Sequence, residues 1–317
     1  MPLHLPPTTA VSRRQFLRGS AFVAGALCLK STRLSLSAAE ADAPERWALL
    51  SDTHIAADPA FVTRQGVNVT DHLKRVVAEV LAEKDRLDGV LIDGDCAFDD
   101  GQPGDYGQLA TLLAPLREAG LPIHMTMGNH DDRVSFLAAF SDHRPDAPPV
   151  DGKHVSVVEG RHANWIFLDS LRYVNKVEGE FGKAQLAWLD QYLAAHAAKP
   201  ALLIGHHYPQ VFREDVIPGD QKIKISGLVD SDPFLKLLDR HACAKAYIYG
   251  HSHDWKMAVD AKGAHQVNLP PTAYVFNNAR PNGWVRATVG AGGMTLELRA
   301  LDPAHPEHGK PAELKWR

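Results

Sequence analysis

Beyond about residue 42, the chain alternates short apolar runs with longer stretches of helical apolar spacing. Trp47–Leu50 is the first short run and predicts a buried strand. Asp71–Lys84 then places Leu73, Val76, Val77, Val80 and Leu81 at i, i+3, i+4, i+7 and i+8, one face of a helix with Thr70 as its expected N-cap. Gly89–Ile92 predicts a second strand, Tyr106–Ala119 a helix and Pro122–Met127 a third strand, a βαβαβ order that implies a parallel sheet with right-handed crossovers.

Further along, His154–Val158 and Trp165–Leu168 flank Glu159-Gly160-Arg161-His162 as a hairpin. Lys183–Ala197 carries Leu186, Leu189 and Leu193 on one helical face, and the strand Ala201–Ile204 follows. Pro233–His241 reads as a helix and Ala244–Tyr249 as a strand. From about residue 255 the pattern is β-rich, with Val285–Val289 and Met294–Leu298 on either side of Gly290-Ala291-Gly292-Gly293. This tail and the hairpin are expected to form a second sheet. The Pro-rich stretch His143–Val150 reads as a loop, and the pattern contains no internal repeat.

Composition adds limits. The 317 residues are 45% hydrophobic, 23% charged and 8% aromatic, values of a globular protein with ample material for a core. The N-terminus reads as a separate object: Ser12-Arg13-Arg14-Gln15-Phe16-Leu17-Arg18 has the form of a twin-arginine export signal. The apolar run Gly19–Leu29 follows, then the small-residue stretch Ser35–Ala43, where Ala39-Glu40-Ala41 offers a cleavage site. That run is shorter than the roughly 17 residues of a spanning helix, so no integral membrane association is expected. Cys28 follows Leu27, whereas a lipid anchor takes a small residue there.

The expected division is therefore a signal over residues 1–41 and one domain over 42–317, exported by the twin-arginine machinery to a periplasmic or secreted location. The net charge is −4; without residues 1–41 it becomes −8, from 29 basic and 37 acidic residues. No nucleic-acid partner is expected from such a balance. Cys96 ends one strand and Cys243 opens another, at opposite edges of a parallel sheet, so two free thiols are expected.

The chemistry sits where apolar runs stop. Five of them end in metal-ligand residues: Asp52-Thr53-His54, Gly94-Asp95, Gly128-Asn129-His130-Asp131, Gly205-His206-His207 and Gly250-His251-Ser252-His253. In an open α/β sheet the carboxyl ends of strands form the ligand crevice, so these clusters can converge. Residues two apart in extended chain project to one side, which lets Asp52 act with His54 and His251 with His253. Singly, each cluster is a common loop sequence; lone histidines such as His72, His196 and His265 are read as surface or hydrogen-bonded residues. Together the carboxylate, amide and imidazole donors suit borderline divalent ions such as Mn, Fe, Zn or Co.

In this order, D-x-H, G-D, G-N-H-D, G-H and G-H-x-H, the motifs resemble the calcineurin-like metallophosphoesterases from Asp52 to His253. The resemblance implies an αββα sandwich of two mixed β-sheets flanked by helices. It also implies a binuclear centre, with one ion on Asp52, His54, Asp95 and His253 and a second on Asp95, Asn129, His206 and His251, Asp95 bridging. Ser51-Asp52-Thr53-His54-Ile55 and Gly128-Asn129-His130-Asp131-Asp132 look most like the branch containing bacterial cyclic-nucleotide and glycerophosphodiester phosphodiesterases.

Phe98, three residues after Asp95, departs from two other branches. Purple acid phosphatases have a tyrosine there, and Ser/Thr protein phosphatases an aspartate that orients the catalytic histidine. With that aspartate missing, Asp131 is the nearest candidate partner for His130.

Two such ions about 3.5–4 Å apart would hold a bridging water, lower its pKa and present hydroxide in line with phosphorus. His130 is placed to contact the phosphate and protonate the leaving oxygen. His207 is read as a substrate contact, an orienting residue or a packed histidine, and Arg133 as a phosphate contact or, preferably, a helix-start arginine. The expected activity is hydrolysis of a small phosphodiester. The alternatives are a broad-specificity phosphomonoesterase and a non-enzymatic binding scaffold; the scaffold is disfavoured because every assignable ligand position is filled.

Overall fold

The structure is a computed structural model that describes residues 4–5, 42–140, 148–210 and 225–317. The export motif, Cys28 and most of the stretch His143–Val150 lie outside the described residues. The strands are β1 (His4–Leu5), β2 (Glu45–Ser51), β3 (Gly89–Asp93), β4 (Ile123–Thr126), β5 (Ser156–Glu159), β6 (Asn164–Phe167), β7 (Ala201–Ile204), β8 (Ala244–Tyr249), β9 (Lys256–Val259), β10 (His265–Asn268), β11 (Gly283–Gly290), β12 (Gly293–Ala300) and β13 (Pro311–Lys315). The helices are α1 (Val69–Ala82), α2 (Pro103–Glu118), α3 (Arg133–Ala139), α4 (Lys183–Ala195) and α5 (Ser231–Arg240).

Strand β2 shows why the apolar runs lack alternation. Trp47 and Leu49 face a core shared with Trp165, Phe167 and Ile248, whereas Ala48 and Leu50 enter a second core with residues of α1 and α2. Both faces are covered, so both parities must be apolar. Each fully buried large side chain contributes about 1.5–3 kcal/mol by leaving water.

Two sheets result. One runs β1-β4-β3-β2-β11-β12-β13 and the other β5-β6-β7-β8-β10-β9. β2, β3 and β4 are parallel, as are β6, β7, β8 and β10. The sheets share one apolar core; α1 and α2 pack on the outer face of the first, and α4 and α5 on that of the second. This is the expected αββα sandwich.

Two expectations need correction. The tail divides between the sheets: β9 and β10 join the second sheet with β5 and β6, as expected, whereas β11 pairs antiparallel with β2 and continues the first sheet through β12 and β13. Alternation fixes which face a strand buries, not which edge it joins, and β2 offered an open edge that Val285, Ala287 and Val289 complete toward the shared core. The N-cap of α1 is Asn68 rather than Thr70; its side chain accepts a hydrogen bond from the Asp71 amide at 3.0 Å. Thr70 lies inside the first turn and is buried.

Cys96 and Cys243 are both buried and free. They belong to different sheets rather than to opposite edges of one. Among the described residues, no helix is long and apolar enough to cross a membrane.

Candidate metal centre

The carboxyl ends of β2, β3, β4, β7 and β8 meet at one place. Backbone bonds tie the loops there: His54 N donates to Asp95 O at 2.9 Å, Ile55 N to Cys96 O at 3.0 Å and Gly250 N to His206 O at 3.1 Å. Close approach depends on glycine. Gly94 has φ of +64°, and a Cβ on it would lie 2.6 Å from His206 Nδ1. A Cβ on Gly128 would lie 2.1 Å from Asp95 Oδ1.

The side chains form two groups, Asp52 with His54 and His253, and Asp95 with His206 and His251, the donor atoms of each group lying within 4.8 Å of one another. The groups adjoin: Asp95 Oδ2 is 3.1 Å from His206 Nε2 and 3.7 Å from His54 Nε2. Asp52 Oδ1 is 3.4 Å from His253 Nε2 and 3.8 Å from His206 Nε2. Asp95 and Asp52 each thus lie within 4 Å of a histidine from both groups.

The donor set fits divalent cations on three observations. First, His54 Nδ1 contacts Phe98 O at 3.1 Å and His253 Nδ1 contacts Tyr274 O at 2.6 Å, so both Nδ1 atoms must carry the proton. In the neutral form of each ring Nε2 is then the free acceptor, and the two Nε2 atoms face each other at 3.1 Å. Second, the buried Asn129 Oδ1 has no hydrogen-bond partner. Third, of the non-glycine residues with positive φ among those described, five are Asp52, His54, Asp95, His251 and His253. Such conformations cost about 1–3 kcal/mol each and persist only where something else enforces them.

The electrostatics agree. Burial pushes His54 down to about 4 against the pull of Asp95, and burial with the adjacent His206 takes His251 to about 4. Both are neutral imidazoles near pH 7, the form that binds a metal. Burial opposes ionisation of Asp95, but His206 and His130 outweigh it and hold the carboxyl well below its ordinary value. His206 goes the other way: Asp95 and Asp52 overcome burial and raise it. Two buried carboxylates thus demand positive charge at this spot, which a divalent cation supplies.

His251 Nε2 reaches Ser226 O at 2.7 Å and His206 Nδ1 reaches Asp93 O at 3.1 Å, fixing both rings by their remote nitrogens. The centre opens into a cavity of about 260 Å³ whose wall includes His54, Asp95, Asn129, His130, His251 and His253. His130 is partly exposed there, its amide donating to Asp95 Oδ1 at 2.9 Å.

The family profile of the calcineurin-like phosphoesterases matches residues 46–255. The chain belongs to this family. It is 30% identical to a probable cyclic nucleotide phosphodiesterase of Rhodococcus erythropolis, over 69% of each chain. It is 26% identical to a 3′,5′-cyclic adenosine monophosphate phosphodiesterase of Escherichia coli, over 79% of this chain and 84% of that one. A dimetal phosphatase from Danio rerio shares the fold, with a TM-score of 0.64 at 16% identity, over 86% of this chain and 99% of that one.

Of three further sequence candidates in this phosphoesterase, Asp131 sits differently from expectation, while Arg133 lies at a helix start and His207 is packed, each one of the readings given for it. Asp131 is not the partner of His130: it is fully buried and accepts from Cys96 N, Ala97 N, Gly128 N and the Tyr106 hydroxyl at 2.9–3.1 Å. It binds the loops after β3 and β4 together. The partner of His130 is Asp99, whose backbone carbonyl meets Nδ1 at 2.5 Å while its carboxylate stays 3.7 Å away.

Arg133, at the start of α3, turns to a buried carboxylate instead of the cavity. Its Nε and one terminal nitrogen each reach Asp169 at 2.8 Å. His207 is fully buried behind the centre, with Nδ1 2.8 Å from Ser170 Oγ and its ring 4.5 Å from that of His251. It is not part of the cavity wall. Sequence reasoning missed Asp169 and Asp99, one distant in sequence from its partner and the other acting through its backbone.

Proposed function

We propose that this phosphoesterase hydrolyses small phosphodiesters, with 3′,5′-cyclic nucleotides the favoured class. The observation that carries the reading is the convergence of Asp52, His54 and His253 with Asp95, His206 and His251 in two adjoining groups, beside a cavity that also presents Asn129 and His130. The protein is a metal-dependent phosphoric ester hydrolase by family, and its relatives named as cyclic nucleotide phosphodiesterases support the diester class. At about 260 Å³ the cavity lies just below the roughly 300–1,000 Å³ of ligand pockets, which suits a small ester.

In this proposal Asp52, His54, Asp95 and His253 hold one ion and Asp95, Asn129, His206 and His251 the other. Divalent ions held there would supply Lewis acidity toward the phosphoryl oxygens and activation of water. The protein's own part is orientation and proton transfer. Carbonyl contacts from Phe98, Tyr274, Asp93 and Ser226 keep the four imidazoles in their ligating tautomers. His130, held at Nδ1 by Asp99 O, turns its other nitrogen to the leaving oxygen and donates a proton there, a step worth about 10²–10⁴-fold. His207 steadies His251 by packing.

Residues 1–41 act in this reading as a twin-arginine signal that delivers the domain 42–317 to the periplasm or medium. Support comes from the paired arginines Arg13-Arg14 and the apolar run after them.

The test compares purified, metal-analysed protein on bis-p-nitrophenyl phosphate and p-nitrophenyl phosphate, then on a panel of cyclic nucleotides. Preference for the diester with turnover of a cyclic nucleotide is expected; exclusive monoester hydrolysis would overturn the reading.

A further inference from the structure

The ligand residues account for the floor of the cavity but not for one side of its rim. Phe276 lines that rim and is 67% exposed, belonging to none of the three buried cores. A phenyl ring left in water beside a catalytic centre gives up the burial that would normally stabilise it. Its position is nevertheless fixed. One face stacks on the imidazole of His253, with centroids 4.4 Å apart and planes at 26°. Tyr274 meets it edge-on at 5.8 Å and 74°.

The segment bearing both aromatics is anchored to the end of β2: Thr272 N donates to Ser51 O at 2.8 Å and Ala273 N to Asp52 O at 3.1 Å. Tyr274 O is also the acceptor that orients His253. The same few residues therefore set a donor group and present a flat apolar face one ring away from it. Across the cavity stands Tyr208, 5.8 Å from His251, its hydroxyl bonded to Ser226.

We propose that Phe276 is a stacking platform for the planar base of a nucleotide whose phosphate lies at the metal centre. This rests on the phosphodiesterase reading and specifies which part of the substrate, beyond the phosphate, the protein holds. A ring one stacking step from His253 is about a sugar's length from a phosphate at the centre, which is where a nucleoside places its base. An open flat face suits a base, because any base can stack on an aromatic ring whatever its edge pattern. An alkyl chain would call for an enclosing groove.

The test uses adenosine 5′-monophosphate and ribose 5-phosphate as probes, which differ by the base alone. Calorimetric binding to metal-loaded protein should favour the nucleotide by about 10- to 100-fold, the range of one stacked base. Phe276→Leu keeps apolar bulk against His253 and should bring the two probes to within about threefold, whereas Phe276→Trp should keep the preference. Metal content, by elemental analysis, should match wild type in both variants.

Equal binding of the probes to wild type, or an undiminished preference in fully loaded Phe276→Leu, would overturn the platform. Loss of metal from Phe276→Leu would also overturn it, by showing that the ring only supports His253. In each case hydrolysis of bis-p-nitrophenyl phosphate by wild type would leave the phosphodiesterase reading standing. Failure of wild type to hydrolyse any diester would overturn both.

Discussion

Nε2 of His54 lies 3.1 Å from Nε2 of His253, while the opposite nitrogen of each ring is spent on a backbone carbonyl. As neutral rings the two would turn lone pairs toward each other, and the left-handed backbone at both residues adds strain. A cation between them removes the first cost and makes the second worthwhile. The protein should therefore be markedly less stable after chelation. Restoring Mn²⁺ or Zn²⁺ at a hundred times its dissociation constant should return about 2.7 kcal/mol, a rise of several degrees in Tm. A melting curve indifferent to chelator and metal would refute the cation site.

Asp95→Ala should remove a donor shared between both groups, so metal content and activity should fall together. His253→Ala should cost one equivalent and leave the other. Elemental analysis separates the two cases; two equivalents retained in Asp95→Ala would show that Asp95 does not bridge.

His130→Ala should keep both metals yet slow esters with poor leaving groups by up to about 10²–10⁴-fold. A nitrophenol leaves without needing a proton and should lose much less. The slope of log rate against leaving-group pKa should therefore steepen, and an equal loss across the series would reduce His130 to positioning phosphate. Asp99→Ala should change the slope little, because the contact to His130 is the Asp99 carbonyl.

Arg133→Ala should weaken folding, not substrate binding. It removes the nearest cation from the fully buried Asp169 carboxylate, which keeps the His154 and Leu171 amides and Lys153 at 3.9 Å, so the loss should be about 1–3 kcal/mol. Lysine cannot reproduce the paired contacts at 2.8 Å and should rescue only in part. Urea unfolding with KM for a diester distinguishes the roles: a raised KM at unchanged stability would make Arg133 a phosphate contact.

Changing Arg13-Arg14 to Lys-Lys should retain the precursor inside the cell. Fractionation checks it, and normal recovery outside the cytoplasm would eliminate the twin-arginine route.

The candidate ligand groups were legible in the sequence because metal binding demands particular side chains and the fold demands strand ends: Asp52, Asp95 and His206 satisfy both conditions at once. Residues whose contribution is geometric left no such mark. Any amino acid could offer the carbonyl that Asp99 gives His130, so its identity carries no signal. Asp131 is next to His130 in the chain, yet four donors around its carboxylate turn it inward. The Arg133–Asp169 pair joins elements 36 residues apart, beyond the reach of local spacing. The placement of β11 beside β2 was hidden for a related reason, since both sheets would accept the same alternation.

The two sheets contribute unequally typed donors to the centre. Asp52, His54, Asp95 and Asn129 follow strands of the first, and His206, His251 and His253 follow strands of the second. An ion gripped from both sides works as a rivet through the sandwich, so neither half can assemble a complete site without the other. Metal capture then reports that the sheets have docked, and escape of a rivet requires them to part. The lifetime of the loaded state should accordingly track the rate at which the sandwich opens, a property of the whole chain and not of the ligands alone.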